Sequence, residues 1–332
     1  MVLWEALDAL SHQLELCYVD ADMRVVVLLD DAVGADRTAL IRAAVARSGA
    51  DAVEVRSHCA RDHGFHNDLN HDQSLLAAIT EAADLIITTH DSGAAPLAGP
   101  GAMVLHLADC QPHAYAPHVN LRRRTNRLHD YFDQALSLEL TDPHGTELHI
   151  ALPNGVVTSD HGIVSQDCPV ASFPGGWVRA VPASGSVQGD LVVMPGDTNL
   201  NANRVISSPV RLQIVDDHVS VIDGDNPDAD VLRALFEYAG QPSAYGIAHM
   251  SVGLNPGRLP PAPFDERLLN THLSRLLAGV ITLAFGENLQ ADRLCDQVVT
   301  LALPGRSLRA DGLPISTLGQ LQGDFAPDVY EA

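Results

Sequence analysis

The chain has 332 residues, a length that suits two domains with buried cores better than one. Its 42 acidic residues against 20 basic ones give a formal net charge of -22, a field that repels phosphate backbones and anionic lipid heads and sets nucleic acid and membrane aside as partners. Every basic side chain is arginine, so a Schiff-base lysine, a phosphate-loop lysine and a kinase-type lysine are excluded.

In chain order, residues 3–16 carry apolar side chains at helical spacing, and 24–29 form an apolar run that stops at Asp30-Asp31, as a buried parallel strand would. A helix over 37–47, a strand over 52–56, a helix over 74–82 and strands over 85–89 and 102–107 continue an alternation that predicts a parallel sheet covered by helices. Residues 1–135 are therefore expected to be one α/β (Rossmann-like) domain. From residue 136 the texture turns β-rich, with strands expected over 136–140, 147–152, 176–181, 190–194 and 210–214. The runs 211–215 and 219–222, split by Asp216-Asp217-His218, predict a hairpin. A helix over 230–239, a strand over 247–252, a helix over 265–277 and strands over 279–285 and 298–303 complete a second, β-rich α+β domain spanning 136–332.

Five cysteines lie scattered without a C-x-x-C pair, and Met1 to Leu10 carries Glu5 and Asp8 with no basic region before an apolar run. A reducing, cytoplasmic setting is expected, without disulfides and without a spanning helix.

Several blocks in the second half then carry a family likeness. Phe173-Pro-Gly-Gly-Trp-Val-Arg-Ala-Val-Pro, Gly185-Ser-Val-Gln-Gly-Asp-Leu-Val-Val, the 210–224 hairpin, Ala244-Tyr-Gly-Ile-Ala-His-Met-Ser-Val-Gly-Leu-Asn-Pro-Gly and Gly279-Val-Ile-Thr-Leu-Ala-Phe-Gly-Glu-Asn occur in one order. Over about residues 140–315 the chain resembles the aminopeptidase T and 2,5-dihydroxypyridine 5,6-dioxygenase superfamily. The resemblance implies an iron(II) site in dioxygenase members, built from a histidine at His249 and an H-x-D pair near the C-terminus. Between Leu294 and Leu303 this chain reads Leu-Cys-Asp-Gln-Val-Val-Thr-Leu-Ala-Leu, without a histidine. Thr282 stands where aminopeptidase members often place a further histidine.

A site of two histidines and one carboxylate holds its metal through three protein ligands, and one histidine cannot do so. Asp296 follows Cys295 directly, and neighbouring strand residues point to opposite faces. The expected reading is thus a divergent, metal-independent member with no cofactor. It binds a peptide or peptide-like small molecule in the inherited cleft, assists its modification in natural-product biosynthesis beside pathway enzymes, and assembles as a homo-oligomer like the parent families. The alternative is an iron(II) dioxygenase or a zinc-type aminopeptidase with relocated ligands, pairing His249 with Asp296 or Glu287, or recruiting Glu266 or His272.

His149, on the 147–152 strand, matches a dioxygenase pocket histidine; with His249 it is a candidate for proton transfer, although both residue types also occur as plain hydrogen-bonded strand histidines. Gly175, Gly176 and Gly253 are candidate cleft glycines, or devices for close backbone approach. His58, His63, His66 and His71 lie in a polar stretch that reads as a solvated loop. Asp223-Gly-Asp-Asn-Pro-Asp lacks the closing glutamate of a calcium loop, and Asp228 or Asp230 is expected to cap the following helix. Arg122, Arg123, Arg124 and Arg127 are expected on a solvated helix face, and Ser159-Asp160-His161 lacks triad geometry.

Overall fold

The computed structural model describes residues 2–57, 78, 81–90, 101–115, 117–152, 155–257 and 271–328. The first elements are α1 (Val2–Leu16), β1 (Arg24–Asp30), α2 (Ala35–Ser48), β2 (Asp51–Ser57), β3 (Leu85–Thr88), β4 (Met103–Leu107) and α3 (Val119–Gln134). Then come β5 (Ser137–Thr141), β6 (Glu147–Ala151), β7 (Val156–Asp160), β8 (Val170–Phe173), β9 (Trp177–Val181), β10 (Val187–Val193), β11 (Thr198–Asn199) and β12 (Arg204–Val205). The rest is β13 (Val210–Val215), β14 (His218–Asp223), α4 (Pro227–Tyr238), β15 (Ile247–Gly253), α5 (Thr271–Ser274), β16 (Ile281–Phe285), β17 (Val299–Leu303), β18 (Ser307–Ala310), β19 (Leu313–Thr317) and β20 (Gln320–Leu321).

These elements form two compact units, Met1–Arg122 with Asp160–Gly175, and Arg123–Ser159 with Gly176–Ala332. The division expected near residue 135 falls inside the second unit, between α3 and β5.

The first unit is built on a parallel sheet of order β2-β1-β3-β4-β8. β1 is an inner strand, and five successive residues, Val25 to Leu29, are buried, which only a strand covered on both faces tolerates. Their alternation feeds two cores. Val25, Val27 and Leu29 pack with Leu10 and Leu14 of α1 and Ile41, Ala44 and Val45 of α2, while Val26 and Leu28 join Ile86 and Val104. α2 stops at Gly49, whose φ of 82° is left-handed and whose N–H returns to the Ala46 carbonyl at 3.2 Å. The last strand, β8, comes from far along the chain and pairs in parallel with β4 from Val104↔Val170 to Leu107↔Phe173.

The second unit holds an eight-stranded sheet, β14-β13-β10-β6-β5-β18-β19-β20, and a seven-stranded sheet, β12-β11-β17-β16-β15-β9-β7. The expected hairpin is β13 and β14, paired from Arg211↔Asp223 to Val215↔His218, with Asp216 and Asp217 at φ 47° and 68° in its turn. Asp217 also takes the Gly185 N–H at 2.5 Å and the Val187 N–H at 2.8 Å, fastening the turn to β10.

The cap of α4 differs from expectation. Asn226, in extended backbone, accepts from the Asp228 and Ala229 N–H groups, and Pro227 opens the helix. Asp228 instead is buried, takes the Ser207 and Ser208 N–H groups and the Ser207 hydroxyl, and pairs with Arg204 at 2.8 Å. A side chain committed inward cannot turn back on its own helix end.

The arginine-rich helix is α3, and only part of it is a solvated face. Arg123 and Arg127 reach Asp328 and Asp324, but Arg124 is buried, with Nη2 3.4 Å from the Leu254 carbonyl oxygen. The helix expected over 74–82, the histidine cluster 58–71 and most of the helix expected over 265–277, Glu266 included, lie outside the described residues, as does the His272 side chain. Among the described residues no helix is long and apolar enough to cross a membrane.

Candidate functional site

β15 lies between β9 and β16 in the seven-stranded sheet, and the register gathers polar side chains on one of its faces. Ser251 stands opposite Arg179 on one side and Thr282 on the other, and Thr282 stands opposite Ala302. Residues directly opposite one another share a face, as do residues two apart on one strand, so His249 joins this row. The other face of the strand presents Met250 and Val252, both buried.

Within the row Ser251 and Thr282 are buried, at 6% and 1% exposed, while His249 and Arg179 are half-buried. Burial first, then the guanidinium groups of Arg179 and Arg275, hold the His249 ring well below the ordinary histidine pKa, so the imidazole is neutral near pH 7. Arg179 is drawn down to about 10 by burial and by Arg275, and remains cationic at that pH. Its guanidinium lies 4.7 Å above the Trp177 ring, two residues back on the same face of β9.

Gly253 explains how Arg275 comes to act on this face. A Cβ there would stand 2.2 Å from the Leu277 carbonyl oxygen and 2.7 Å from that of Arg275, so only glycine lets the 275–277 backbone cross the strand. The crossing is tied by N–H groups of Gly253 to Val280 O, Asn255 to Leu276 O and Ala278 to Asn255 O. Gly253→Ala is expected to cost about 1–3 kcal/mol, read from the urea midpoint, because both contacting groups are backbone and cannot rotate away.

The remaining candidates are placed elsewhere. His149 is exposed on β6 of the other sheet, beside a groove lined by Glu139, Thr141, Glu147, Gln188 and Asp190, and no residue of that lining comes from the sheet of His249. Glu287 and Asp296 are exposed in the connections after β16 and before β17, while Cys295 is buried. Among the described residues no group of three His, Cys, Asp or Glu side chains converges as a metal site. An ion at His249 would meet one imidazole and the fields of two guanidiniums, so the described residues do not fit the iron that the resemblance implies.

Gly175 is a close-approach glycine, since a Cβ would lie 2.3 Å from the Gly162 nitrogen, and Gly176 takes a φ of 108°. Ser159 meets His129 at 3.1 Å, while the Asp160 carboxylate accepts from the Gly162 and Ser172 N–H groups. Sequence reasoning did not single out Arg179, Ser251 or Arg275 as site residues. The available signal was Trp177-Val178-Arg179-Ala180-Val181, where strand alternation puts a charge on a face that the sheet buries.

The fold is that of a two-unit protein, with one unit built on a parallel α/β sheet and the other β-rich. A family model, NicX: 2,5-dihydroxypyridine 5,6-dioxygenase, matches residues 5–323, and the chain belongs to this family. It is 27% identical over 183 residues to the 2,5-dihydroxypyridine 5,6-dioxygenase of Pseudomonas putida KT2440. That alignment covers 53% of the chain and 52% of the relative, so the chain spans about half the length of the curated relative it matches. In structure it is similar to 2,5-dihydroxypyridine dioxygenase from Pseudomonas putida KT2440, with a TM-score of 0.83, 20% identity and 96% of each chain covered. Wild-type AmpT from Thermus thermophilus is similar over 95% of this chain and 99% of its own, with a TM-score of 0.62 and 13% identity.

Proposed function

We propose that this chain binds and converts a small hydroxylated or carboxylated ring compound on the polar face of the seven-stranded sheet, with His249 as the proton-handling group. One observation carries the reading: His249, Ser251, Thr282 and Arg179 gather on one face of the inner strands of a sheet, with Ser251 and Thr282 buried and His249 and Arg179 half-buried, a polar concentration that burial alone disfavours. The family match supports a ring compound over a peptide. A peptide-like ligand, the expectation drawn from the aminopeptidase side of the resemblance, would have to present its terminal carboxylate to the same face, as would a substrate handed on by pathway enzymes.

The conversion needs no ion at His249 in this reading. Iron(II)-dependent ring cleavage is the second reading, favoured by the family match, and it requires ligands beyond the described residues. The deciding experiment is anaerobic purification with iron and zinc supplied, followed by metal analysis and by oxygen-uptake and absorbance assays with 2,5-dihydroxypyridine. Metal-free folded protein that binds the ring compound, with conversion falling on the order of a hundredfold in His249→Ala, is the expected result. Near-stoichiometric iron that leaves in His249→Ala would establish the second reading instead. Protein that neither binds nor converts a ring compound, with or without iron, overturns both.

A further inference from the structure

We propose that Arg179, Ser251 and Thr282 form an oxyanion subsite that takes the carboxylate of a small organic acid beside His249. The proposal rests on the placement of the substrate at His249 and names the ligand group that this face selects.

Two of the three side chains are left in a state that folding alone does not explain. The Arg179 Nε and the Thr282 Oγ1 are buried without a hydrogen-bond partner among the described residues, and Thr282 is 1% exposed. Buried donors are almost always met by protein or by a bound molecule, and two unmet ones in the same cross-strand row point to one missing acceptor. Arg179 forms no ion pair among the described residues, although arginines elsewhere in the second unit pair with aspartates, as Arg204 does with Asp228 and Arg211 with Asp190. The acceptor that would meet a guanidinium edge and a hydroxyl together is an anion with two oxygens in a plane.

The geometry favours a carboxylate held in a fixed plane. Trp177 lies under the guanidinium at 4.7 Å and restrains its rotation, so its N–H edge keeps one direction along the row. Ser251, between Arg179 and Thr282 in the register, supplies a third polar group within the row. Thr282 occupies the position at which the aminopeptidase resemblance implies a histidine; a hydroxyl there can donate to an oxyanion.

The test uses the full chain with benzoate and its uncharged isostere benzamide, followed by titration calorimetry or ligand-observed NMR. Benzoate is expected to bind at least about tenfold tighter than benzamide, and to weaken about tenfold in Arg179→Lys, which keeps the charge but loses the planar fork. Thr282→Val, nearly isosteric, should weaken benzoate several-fold while leaving benzamide unchanged, with the unfolding midpoint confirming an intact fold. Equal affinity for the two probes, no benzoate binding by the folded wild type, or benzoate affinity unchanged in both variants overturns the subsite. The two proposals fail separately. Conversion of 2,5-dihydroxypyridine without charge selectivity removes the subsite and leaves the His249 reading, whereas selective benzoate binding unaffected by His249→Asn, without conversion of the ring compound, does the reverse.

Discussion

Replacing Arg306 with methionine is expected to lower stability by about 3–5 kcal/mol near neutral pH, as breaking a buried ion pair does. The guanidinium sits 2.9 Å from Asp142 and 2.5 Å from Asp197, with side-chain exposures of 4%, 1% and 2% for the three residues. It also donates to the carbonyls of Val192 and Pro304. One side chain thereby ties the entry to β18 to the ends of β5 and β10. Asp197 is pushed up to about 6 by burial even with Arg306 beside it. Burial also opposes the charge of Asp142, but the Thr146 hydroxyl and N–H, the His144 N–H and Arg306 keep its pKa below the usual range. Methionine would leave two carboxylates in a site that water does not reach. The folded-state pKa of Asp142 then rises above that of the unfolded chain, as that of Asp197 already does, and an acid so displaced penalises the folded state above its folded pKa and not below its unfolded one. The loss should therefore shrink as pH falls from 7 towards 4. Urea midpoints measured at each pH decide the matter, and a loss under about 1 kcal/mol at pH 7 would show that the network contributes nothing net. Adding Asp142→Asn and Asp197→Asn to the variant should restore most of the stability, because the charges left behind are the source of the cost.

How much of this could be read from the sequence follows from where each residue's role is decided. β1 and β3 were legible because a run such as Arg24-Val-Val-Val-Leu-Leu-Asp suits only a strand covered on both sides. The β13–β14 hairpin was legible because its turn residues stand between two alternating runs. β7, β8 and the strands from β18 to β20 were not. Val170-Ala-Ser-Phe is four residues long and finds its partner β4 more than sixty residues earlier, a pairing that local pattern does not encode. The cap of α4 was misplaced because Asn226, Asp228 and Asp230 all have suitable side chains, and only the fold shows that Arg204 and the 207–208 backbone claim Asp228.

The site divides in the same way. His249 stood out through the residues around it, but Arg179, on β9, belongs to the site only through its register with Ser251. At Thr282 the resemblance implies a histidine, which this chain lacks. Beside Ser251, which stands opposite Arg179, the threonine is a buried polar group whose hydroxyl meets no partner among the described residues. Loss of one metal ligand removes affinity, whereas an arginine facing the same position repels any cation that arrives there.

Asp160→Asn is expected to remove about 3 kcal/mol of pH dependence from the stability of the chain between pH 4 and pH 7. Asp160, the last residue of β7, is buried, and burial lifts its pKa to about 6, against the opposing pull of the Gly162 and Ser172 N–H groups and of His106. An ordinary aspartate titrates near 4, so as pH rises from about 4 to 6 the unfolded chain ionises first and is favoured. The folded state thus loses stability over that window and carries a constant penalty above it. Asparagine has no charge to lose. Its amide cannot accept from both N–H groups, which adds an offset of about 1 kcal/mol, but that offset is the same at every pH. The quantity to compare is therefore the difference in unfolding free energy between wild type and variant at pH 4 and at pH 7. A difference that changes by about 3 kcal/mol in favour of the variant at the higher pH assigns the penalty to Asp160. A difference that stays constant means that Asp160 is charged in the fold at both pH values, held so by its two N–H groups, and that the loop from β7 to β8 is fastened by a carboxylate rather than by a carboxylic acid.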